Sequence, residues 1–329
     1  MVHIGMVYSR GRVEEKMLQD AARQRGVALT PVQDDSLILD LDAGALPYDV
    51  VLERSVSYTR GLYVLKFCRA HGVPAVNRYE VAQACGDKTE TSLLLRRAGV
   101  PTPNTKVAFD PEAALRAIEQ IGYPAVLKPT LGSWARMVAR VDSRREAEQL
   151  LEHREQLPNP VQQVYYIQEY VKKETPAPAA VAALPQPLLN GAIPNLAHPA
   201  GPGAMAASNA SAPSSLPSAQ SPHFRDMRAF VVGDETICAI WRTSPHWITN
   251  TARGGKATVA PVDAELNELC LRAAQAVGGG VLALDLMEGP NGLTCHEINH
   301  TMEFRNSVQP TGVDIPGKII DFCVREAKQ

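Results

Sequence analysis

No stretch of this 329-residue chain approaches the roughly 20 consecutive apolar residues that span a bilayer, so no transmembrane helix is expected. The chain start lacks a basic region followed by a long apolar core. It runs straight into a strand-like segment at His3–Tyr8, so no secretory signal is expected. Charge of one sign is also lacking. A formal net charge of −2 gives no general polyanion field, so neither a nucleic-acid nor a membrane partner is implied, and only a local basic cleft stays open. The six cysteines (Cys68, Cys85, Cys238, Cys270, Cys295 and Cys323) form no Cys-x-x-Cys pair. That scatter fits a reduced, cytoplasmic protein that uses cysteine as a small core residue. Cys295 and His296 have no closely spaced partners, which argues against zinc. Walker A and GxGxxG loops are missing, as is any internal repeat. The longest absence is local: residues 175–224 contain no Lys, Arg, Asp or Glu and are dominated by Ala, Pro and Ser. Such a composition cannot sustain a packed core and is expected to be disordered or a mobile loop. It reads as an insertion between two strands, tolerable because closure entropy grows slowly with length, or alternatively as an interdomain linker.

What is present begins as alternating strands and helices. Ile4–Tyr8, Asp49–Leu52 and Pro74–Val76 read as strands, and Glu14–Arg25 and Leu62–Ala70 as helices between them. This alternation predicts a parallel sheet with helices on its faces. Asp87 and Asp110 are placed to cap helices that run to Arg97 and Ile121. Strands follow at Ala125–Lys128 and Met137–Val141, then a helix at Ser143–Leu151 and a strand at Tyr165–Val171. Beyond the uncharged segment come strands Met227–Val232 and Thr236–Arg242. A polar glycine loop, Thr249–Gly255, a helix Asp263–Val277 and a closing helix Pro316–Glu326 complete the pattern.

Chemistry concentrates in the string LALDLMEGPNGLTCHEINH. The runs Val281–Met287 and Leu293–Ile298, joined through Pro290, Asn291 and Gly292, predict a β-hairpin. Period-two alternation puts Glu297 and Asn299 on one face, with Asp285 opposite them on the partner strand. Three hard oxygen donors suit Mg²⁺, with Mn²⁺ as the alternative, although acidic residues also decorate solvated hairpins. Upstream, Lys88 opens a helix and Lys128 ends a strand before the loop Leu131–Arg136. A strand-end ammonium followed by glycine-loop amides is suited to nucleotide phosphates; a surface lysine and an ordinary turn are the plainer readings. The strand Gln168, Glu169, Tyr170 and Val171 has apolar side chains and free-edge amides suited to an adenine ring, or is simply half-buried. Arg228, Arg242 and Arg253 come from strands and a loop expected to face the lysines, where guanidinium groups stabilise a transferring phosphoryl group. Asn250 and the pair Gly254-Gly255 fit a loop whose backbone approaches a ligand.

A lysine before a helix, a strand-end lysine with a glycine loop, a hinge strand, arginine strands and finally Asp…Glu-x-Asn follow one another in an order that resembles the ATP-grasp superfamily of carboxylate–amine ligases, RimK-like branch. The strings VNRYEVAQACGDK (Val76–Lys88), LKPTLGSWARM (Leu127–Met137), YYIQEYV (Tyr165–Val171), SPHWITNTARGG (Ser244–Gly255) and EINHTMEFRNSVQPTGVDIPG (Glu297–Gly317) are similar to the LysX-type ligases, which join α-aminoadipate to the amino-group carrier protein LysW.

The resemblance implies an α/β ATP-grasp fold preceded by a small parallel α/β N-terminal domain. It divides the chain into residues 1–86, a central subdomain 87–165 with the lid loop, and a C-terminal subdomain 166–329 that carries the metal site and the insertion 175–224. Lys88, Lys128, the lid Gly132, Ser133, Trp134, Ala135, Arg136 and Met137, the adenine strand 168–171, Arg228 and Asn250 would bind ATP. Lys172 to Glu174 would lie near the nucleotide. Asp285, Glu297 and Asn299 would carry Mg²⁺. Arg242 and Arg253 would serve the reaction. Arg242, Thr251, Ala252 and the stretch Phe304, Arg305, Asn306, Ser307 and Val308 would line the amino-acid pocket. The implied reaction forms an acyl phosphate on the carrier's C-terminal glutamate side chain, then an amide with the α-amino group of α-aminoadipate in lysine biosynthesis. Glu303 is a candidate for receiving a proton. A small acidic carrier would dock on a basic rim drawn from Arg54, Arg60, Arg136 and Arg305, and a homo-oligomer is implied. Rival readings are a glutamate–LysW ligase of arginine biosynthesis or dual activity, a RimK-type glutamate ligase, and a non-catalytic nucleotide-binding module. In family members the hinge strand leads almost directly into the Arg-Asp-x-Arg strand, here Arg225 to Arg228; in this chain residues 175–224 intervene.

Overall fold

The computed structural model describes residues 1–42, 44–132, 136–172, 224–249, 254–289 and 291–328. Lys173 and Glu174, the uncharged segment up to His223, the lid residues 133–135, the loop residues Asn250 to Arg253, and Pro290 therefore lie outside the described residues.

The N-terminal strands β1 (His3–Tyr8), β2 (Ala28–Gln33), β3 (Val50–Arg54) and β4 (Ala75–Val76) form one parallel sheet in the order β2-β1-β3-β4. Helices α1 (Val13–Gln24) and α2 (Tyr58–Ala70) make its connections. Strand β1 is apolar on both faces because both are covered. Ile4 and Met6 join Leu18 in one cluster, and Val7 joins Val51, Val64 and Leu65 in another. Strand β2 is absent from the sequence reading. It is a half-exposed edge containing Pro31, so it shows neither an apolar run nor clean alternation. Between β4 and the Asp87-capped helix lies another unpredicted element, α3 (Tyr79–Gly86); α4 (Lys88–Arg97) then begins with Asp87 accepting from the Thr89 and Glu90 amides.

The middle sheet is antiparallel, in the order β5-β8-β6-β7, from Thr105–Ala108 (β5), Ala125–Lys128 (β6), Ala139–Val141 (β7) and Tyr165–Glu169 (β8). Helices α5 (Pro111–Ile121), capped by Asp110, and α6 (Arg144–Glu155), capped by Ser143, cover it. The strand expected at Tyr165–Val171 ends at Glu169 and pairs wholly with β5 and β6. Met137, expected in a strand, adopts left-handed backbone instead (φ 57°).

The C-terminal sheet positions the chemistry. Its order is β11-β10-β9-β12-β13, from Phe224–Val232 (β9), Glu235–Ser244 (β10), Lys256–Ala260 (β11), Val281–Gly289 (β12) and Gly292–Asn299 (β13), all antiparallel. Alternation divides its two faces cleanly. Met227, Ala229, Val231, Leu282 and Leu284 pack beneath α7 (Ala264–Ala276). Phe230, Val232, Ile240, Val281 and Ala283 face the N-terminal sheet and α9 (Ile315–Glu326). Arg228, Arg242 and Asp285 continue this second face by the same period. At β13 the register slips: Asp285 opposes Glu297 but Leu286 opposes Cys295, leaving His296 as a bulge. Helix α8 (Arg305–Thr311) is a further unpredicted element. All six cysteines are buried free thiols, as their scatter predicts. No helix among the described residues is long and apolar enough to cross a membrane.

Asn77 fastens the N-terminal sheet to this face. Its amide nitrogen donates to the Val281 carbonyl (2.7 Å) and the His300 carbonyl (2.6 Å), and its oxygen accepts from the Val281 amide (2.6 Å). Gly280 permits this close approach, since a Cβ there would lie 2.1 Å from the Asn77 oxygen. Asn77→Ala strands buried backbone groups, so a loss of about 2–4 kcal/mol is expected. A thermal midpoint within 2 °C of wild type would show that the clip is dispensable.

Candidate functional site

One cavity of about 420 Å³ lies between the three sheets. Lys88, Lys128, Asp285, Glu297 and Asn299 all line it, so the two ammonium groups and three oxygen-bearing side chains converge. Gly132, Arg136, Arg228 and Arg242 line it too. The capped start of α4 sets Lys88: its amide donates to the Thr130 carbonyl, and its Nζ donates to the Gly132 carbonyl (2.6 Å). That ammonium also lies 3.3 Å from Glu297 Oε1. Lys128, ending β6, donates to Gln168 Oε1 at 2.6 Å.

A chain of charge crosses the C-terminal sheet. Arg228 grips both oxygens of Asp285 at 2.7 and 2.8 Å, and Arg242 grips both oxygens of Asp226 at 2.7 and 2.9 Å. Arg242 Nη2 also lies 3.3 Å from Asp285, and Thr249 donates to Asp226. Burial alone would raise the Asp285 pKa; the charges of Arg228 and Arg242 overcome it and hold the carboxyl well below the usual range. The same carboxylates, against an opposing desolvation, hold Arg242 above its ordinary value.

The donor set fits a hard divalent cation. Asp285 and Glu297 are register partners, and Asn299 follows Glu297 on the same face. Asn299 Nδ2 is buried without a hydrogen-bond partner among the described residues, so the amide is not committed to the protein. No group of three or more His, Cys, Asp or Glu side chains converges among the described residues; the third oxygen donor on this face is the Asn299 amide. Lys88, Arg228 and Arg242 pair with these carboxylates and set positive charge beside them.

Other expected site residues are placed differently. Gln168 is buried, donating to Thr105 and Tyr166 as well as accepting from Lys128, and Glu169 holds the Asn104 amide. Neither they nor Tyr170 and Val171 line the cavity as described. Met137 is exposed. Phe304, expected in an amino-acid pocket, is fully buried in the apolar core instead, because α8 turns its ring inward. Ser307 is buried, Val308 packs on that core, and Arg305 and Asn306 face solvent. Arg54 is not a rim residue: it is 3% exposed and held by Glu15 and the Met302 carbonyl. Arg60 is exposed and paired with Asp34. Ser133, Trp134, Ala135, Asn250, Thr251, Ala252 and Arg253 lie outside the described residues.

Sequence reasoning did not find Arg12, Tyr58, Asp226 or His296 at the cavity. Asp226 had a signal, since it sits one strand period from Arg228. Tyr58 lies over Gly86, where a Cβ would come within 2.0 Å of its ring. Beside the cavity, burial pushes Glu53 up to about 7 despite the Ser55 and Thr301 contacts, and burial together with Arg54 lowers His300 to about 4.

Residues 4–84 match the LysX preATP-grasp domain family, and residues 85–182 and 217–323 match the RimK-like ATP-grasp domain family. The chain is 30% identical to the alpha-aminoadipate–LysW ligase LysX of Saccharolobus solfataricus, over 97% of this chain and 99% of that one. It is 28% identical to the glutamate–LysW ligase ArgX of Sulfurisphaera tokodaii, over 94% of each. Among solved structures, a RimK domain ATP-grasp protein from Sphaerobacter thermophilus superposes with a TM-score of 0.71 at 24% identity, covering 98% of this chain and 99% of that one. The ATP-grasp ligase PsnB, in complex with a minimal precursor, Mg and ADP, superposes with a TM-score of 0.65 at 17% identity, covering 99% and 98%.

Two outcomes follow from the charges. Arg242→Met leaves two buried carboxylates short of a partner and is expected to cost about 3–5 kcal/mol. Arg225→Met, which breaks a partly exposed pair with Glu288, is expected to cost under about 1 kcal/mol. Equal shifts in thermal midpoint would refute the distinction. Glu53, whose folded pKa lies above its ordinary value of 4.5, favours folding below pH 4.5 and loses that contribution as the pH rises toward about 7. Stability should therefore fall by up to about 3 kcal/mol across that window, and Glu53→Gln should flatten the slope in urea titrations taken at several pH values.

Proposed function

Because the chain belongs to the RimK-like ATP-grasp family of ATP-dependent ligases, we propose that it joins an amino acid to a LysW-like carrier protein, with α-aminoadipate as the amino acid and lysine biosynthesis as the setting. The convergence of Lys88, Lys128, Asp285, Glu297 and Asn299 on one cavity carries the nucleotide half of this reading. The carrier half rests on the LysX-type N-terminal domain and on full-length likeness to LysW ligases.

In this reading Lys88 and Lys128 hold the ATP phosphates, with Gly132 to Met137 folding over them and the β8 region holding adenine. Asp285, Glu297 and Asn299 hold Mg²⁺, and Mn²⁺ shares their preference for oxygen ligands. The ion, when bound, neutralises phosphate charge. ATP passes its γ-phosphoryl group to the carrier's terminal glutamate side chain, giving an acyl phosphate and ADP. The ammonium gives a proton to Glu303, the freed amine attacks the acyl carbon, the C–O bond to phosphate breaks, the leaving phosphate takes up the surplus amine proton, and an amide forms. Phosphoryl transfer asks the protein for position and charge rather than covalent help. Arg228 and Arg242 supply fixed positive charge at the phosphoryl group, and Arg253 is assigned the same task. Arg242, Thr251 and Ala252 are assigned to the acceptor side, where they bear on the amino acid. Lid closure excludes the water that would hydrolyse the acyl phosphate.

Relatives named for α-aminoadipate and for glutamate match at nearly equal identity, and one methylene separates these substrates. Such a difference is worth about 1–3 kcal/mol in a pocket, so some turnover of both amino acids is expected. Carrier-dependent ADP release, compared between α-aminoadipate and glutamate, tests the assignment. Faster turnover of glutamate overturns the substrate, and ATP binding without ADP release overturns the ligase. Lys128→Met should raise the KM for ATP at least tenfold, and Asp285→Asn should lower kcat by about a hundredfold or more.

A further inference from the structure

Outside the set assigned to the nucleotide, the N-terminal region contributes further cavity residues: Arg12 ahead of α1, Ser55 and Val56 after β3, and Tyr58 at the start of α2, joined by Thr301 and Glu303 from beyond β13. Arg12 is the N-cap residue of α1. Its Nε and Nη2 donate to the two oxygens of Glu15 at 3.0 and 2.7 Å, and Nη2 also donates to the Arg54 carbonyl. Glu15 is fully buried and held from behind by Arg54 (3.1 Å). One edge of the Arg12 guanidinium is thus clamped. The remaining nitrogen, Nη1, faces Glu303 Oε1 at 3.6 Å. That spacing is too long for a hydrogen bond but short enough for strong mutual attraction. Glu303 is 37% exposed and opens on the same cavity. A fixed cation and a nearby anion therefore stand side by side as a loose ion pair with no hydrogen bond between them, both lining the cavity.

We propose that Arg12 and Glu303 form a zwitterion-binding pair for the amino-acid substrate, with its α-carboxylate on Arg12 Nη1 and its α-ammonium on Glu303. The inference rests on the ligase reading and gives that reading an acceptor subsite. An α-amino acid carries its opposite charges on one carbon, so neighbouring opposite charges are their complement. Glu15 holds the fork in place before the ligand arrives, which lowers the ordering cost of binding. The pair selects the α-amino-acid head and leaves chain length to the rest of the pocket.

The test uses the full chain with ATP, the carrier, and α-aminoadipate. Adipate, which lacks the ammonium, and 5-aminopentanoate, which lacks the α-carboxylate, serve as competitors. Arg12→Met and Glu303→Gln are each expected to raise the amino-acid KM at least tenfold, while the KM values for ATP and carrier stay within twofold. Arg12→Met should lose the preference for α-aminoadipate over 5-aminopentanoate and keep that over adipate; Glu303→Gln should do the reverse. Arg12→Lys should recover part of the loss. An unchanged amino-acid KM, or a rise confined to the carrier, overturns the pair. If Arg12→Met fails to fold for want of a partner to Glu15, the half-exposed Glu303→Gln still decides. A wild-type chain inert toward α-aminoadipate and glutamate alike would sink the ligase reading, and the pair with it, before any variant is compared.

Discussion

Asp285 is held between two guanidinium groups, and most of the site is arranged around that fact. A buried carboxylate without partners would take up a proton; beside Arg228 and Arg242 it stays ionised and fixed. Arg242 is fixed in turn by Asp226, and Thr249 holds Asp226. Arg228, Arg242, Asp226 and Asp285 sit on the same face of adjacent strands, so the pleat of one sheet sets their directions together, and Thr249 reaches Asp226 from the loop after β10. That face begins as apolar core at Phe230, Ile240 and Ala283 and becomes polar only where it reaches the cavity. Rigidity at the site is therefore continuous with the packing of the domain.

Three parts of the chain meet at this one cavity. The β9–β12 arginines and the β12–β13 oxygen donors are fixed by sheet register. Lys88 and Lys128 come from the start of α4 and the end of β6; the Lys88 amide bonds the Thr130 carbonyl just past β6, and the Lys88 ammonium bonds the Gly132 carbonyl. The N-terminal region supplies Arg12 and Tyr58 from a third direction.

Much of this was legible in residue order. Caps at Asp87, Asp110, Ser143 and Asp263 are local hydrogen bonds, and each sits where its helix begins. The hairpin followed from two apolar runs and the turn residues between them, and alternation placed Glu297 opposite Asp285, as the register shows. Elements that lack a local signature escaped: β2 is a half-exposed edge with a proline, and α8 is a short helix containing Pro310. Burial misled in two places. Phe304 and Arg54 look like pocket and rim residues, yet one completes the apolar core and the other neutralises Glu15 inside it. Arg12 gave no signal because its role depends on Glu303, far away in the chain, and only tertiary packing brings the two together.

The extra residue at His296 changes what length means in the last hairpin. Cys295 and Ile298 both point into the layer under α7, although an odd number of steps separates them, and His296 and Glu297 both open on the cavity. Parity is broken once, at this spot. Removing a single amino acid between the hairpin tip and Glu297 would restore a regular ladder. Taking out His296 itself would do so with Glu297 still at the cavity and Cys295 still in hydrocarbon, whereas a deletion nearer the tip would turn Cys295 out of the apolar layer and His296 into it.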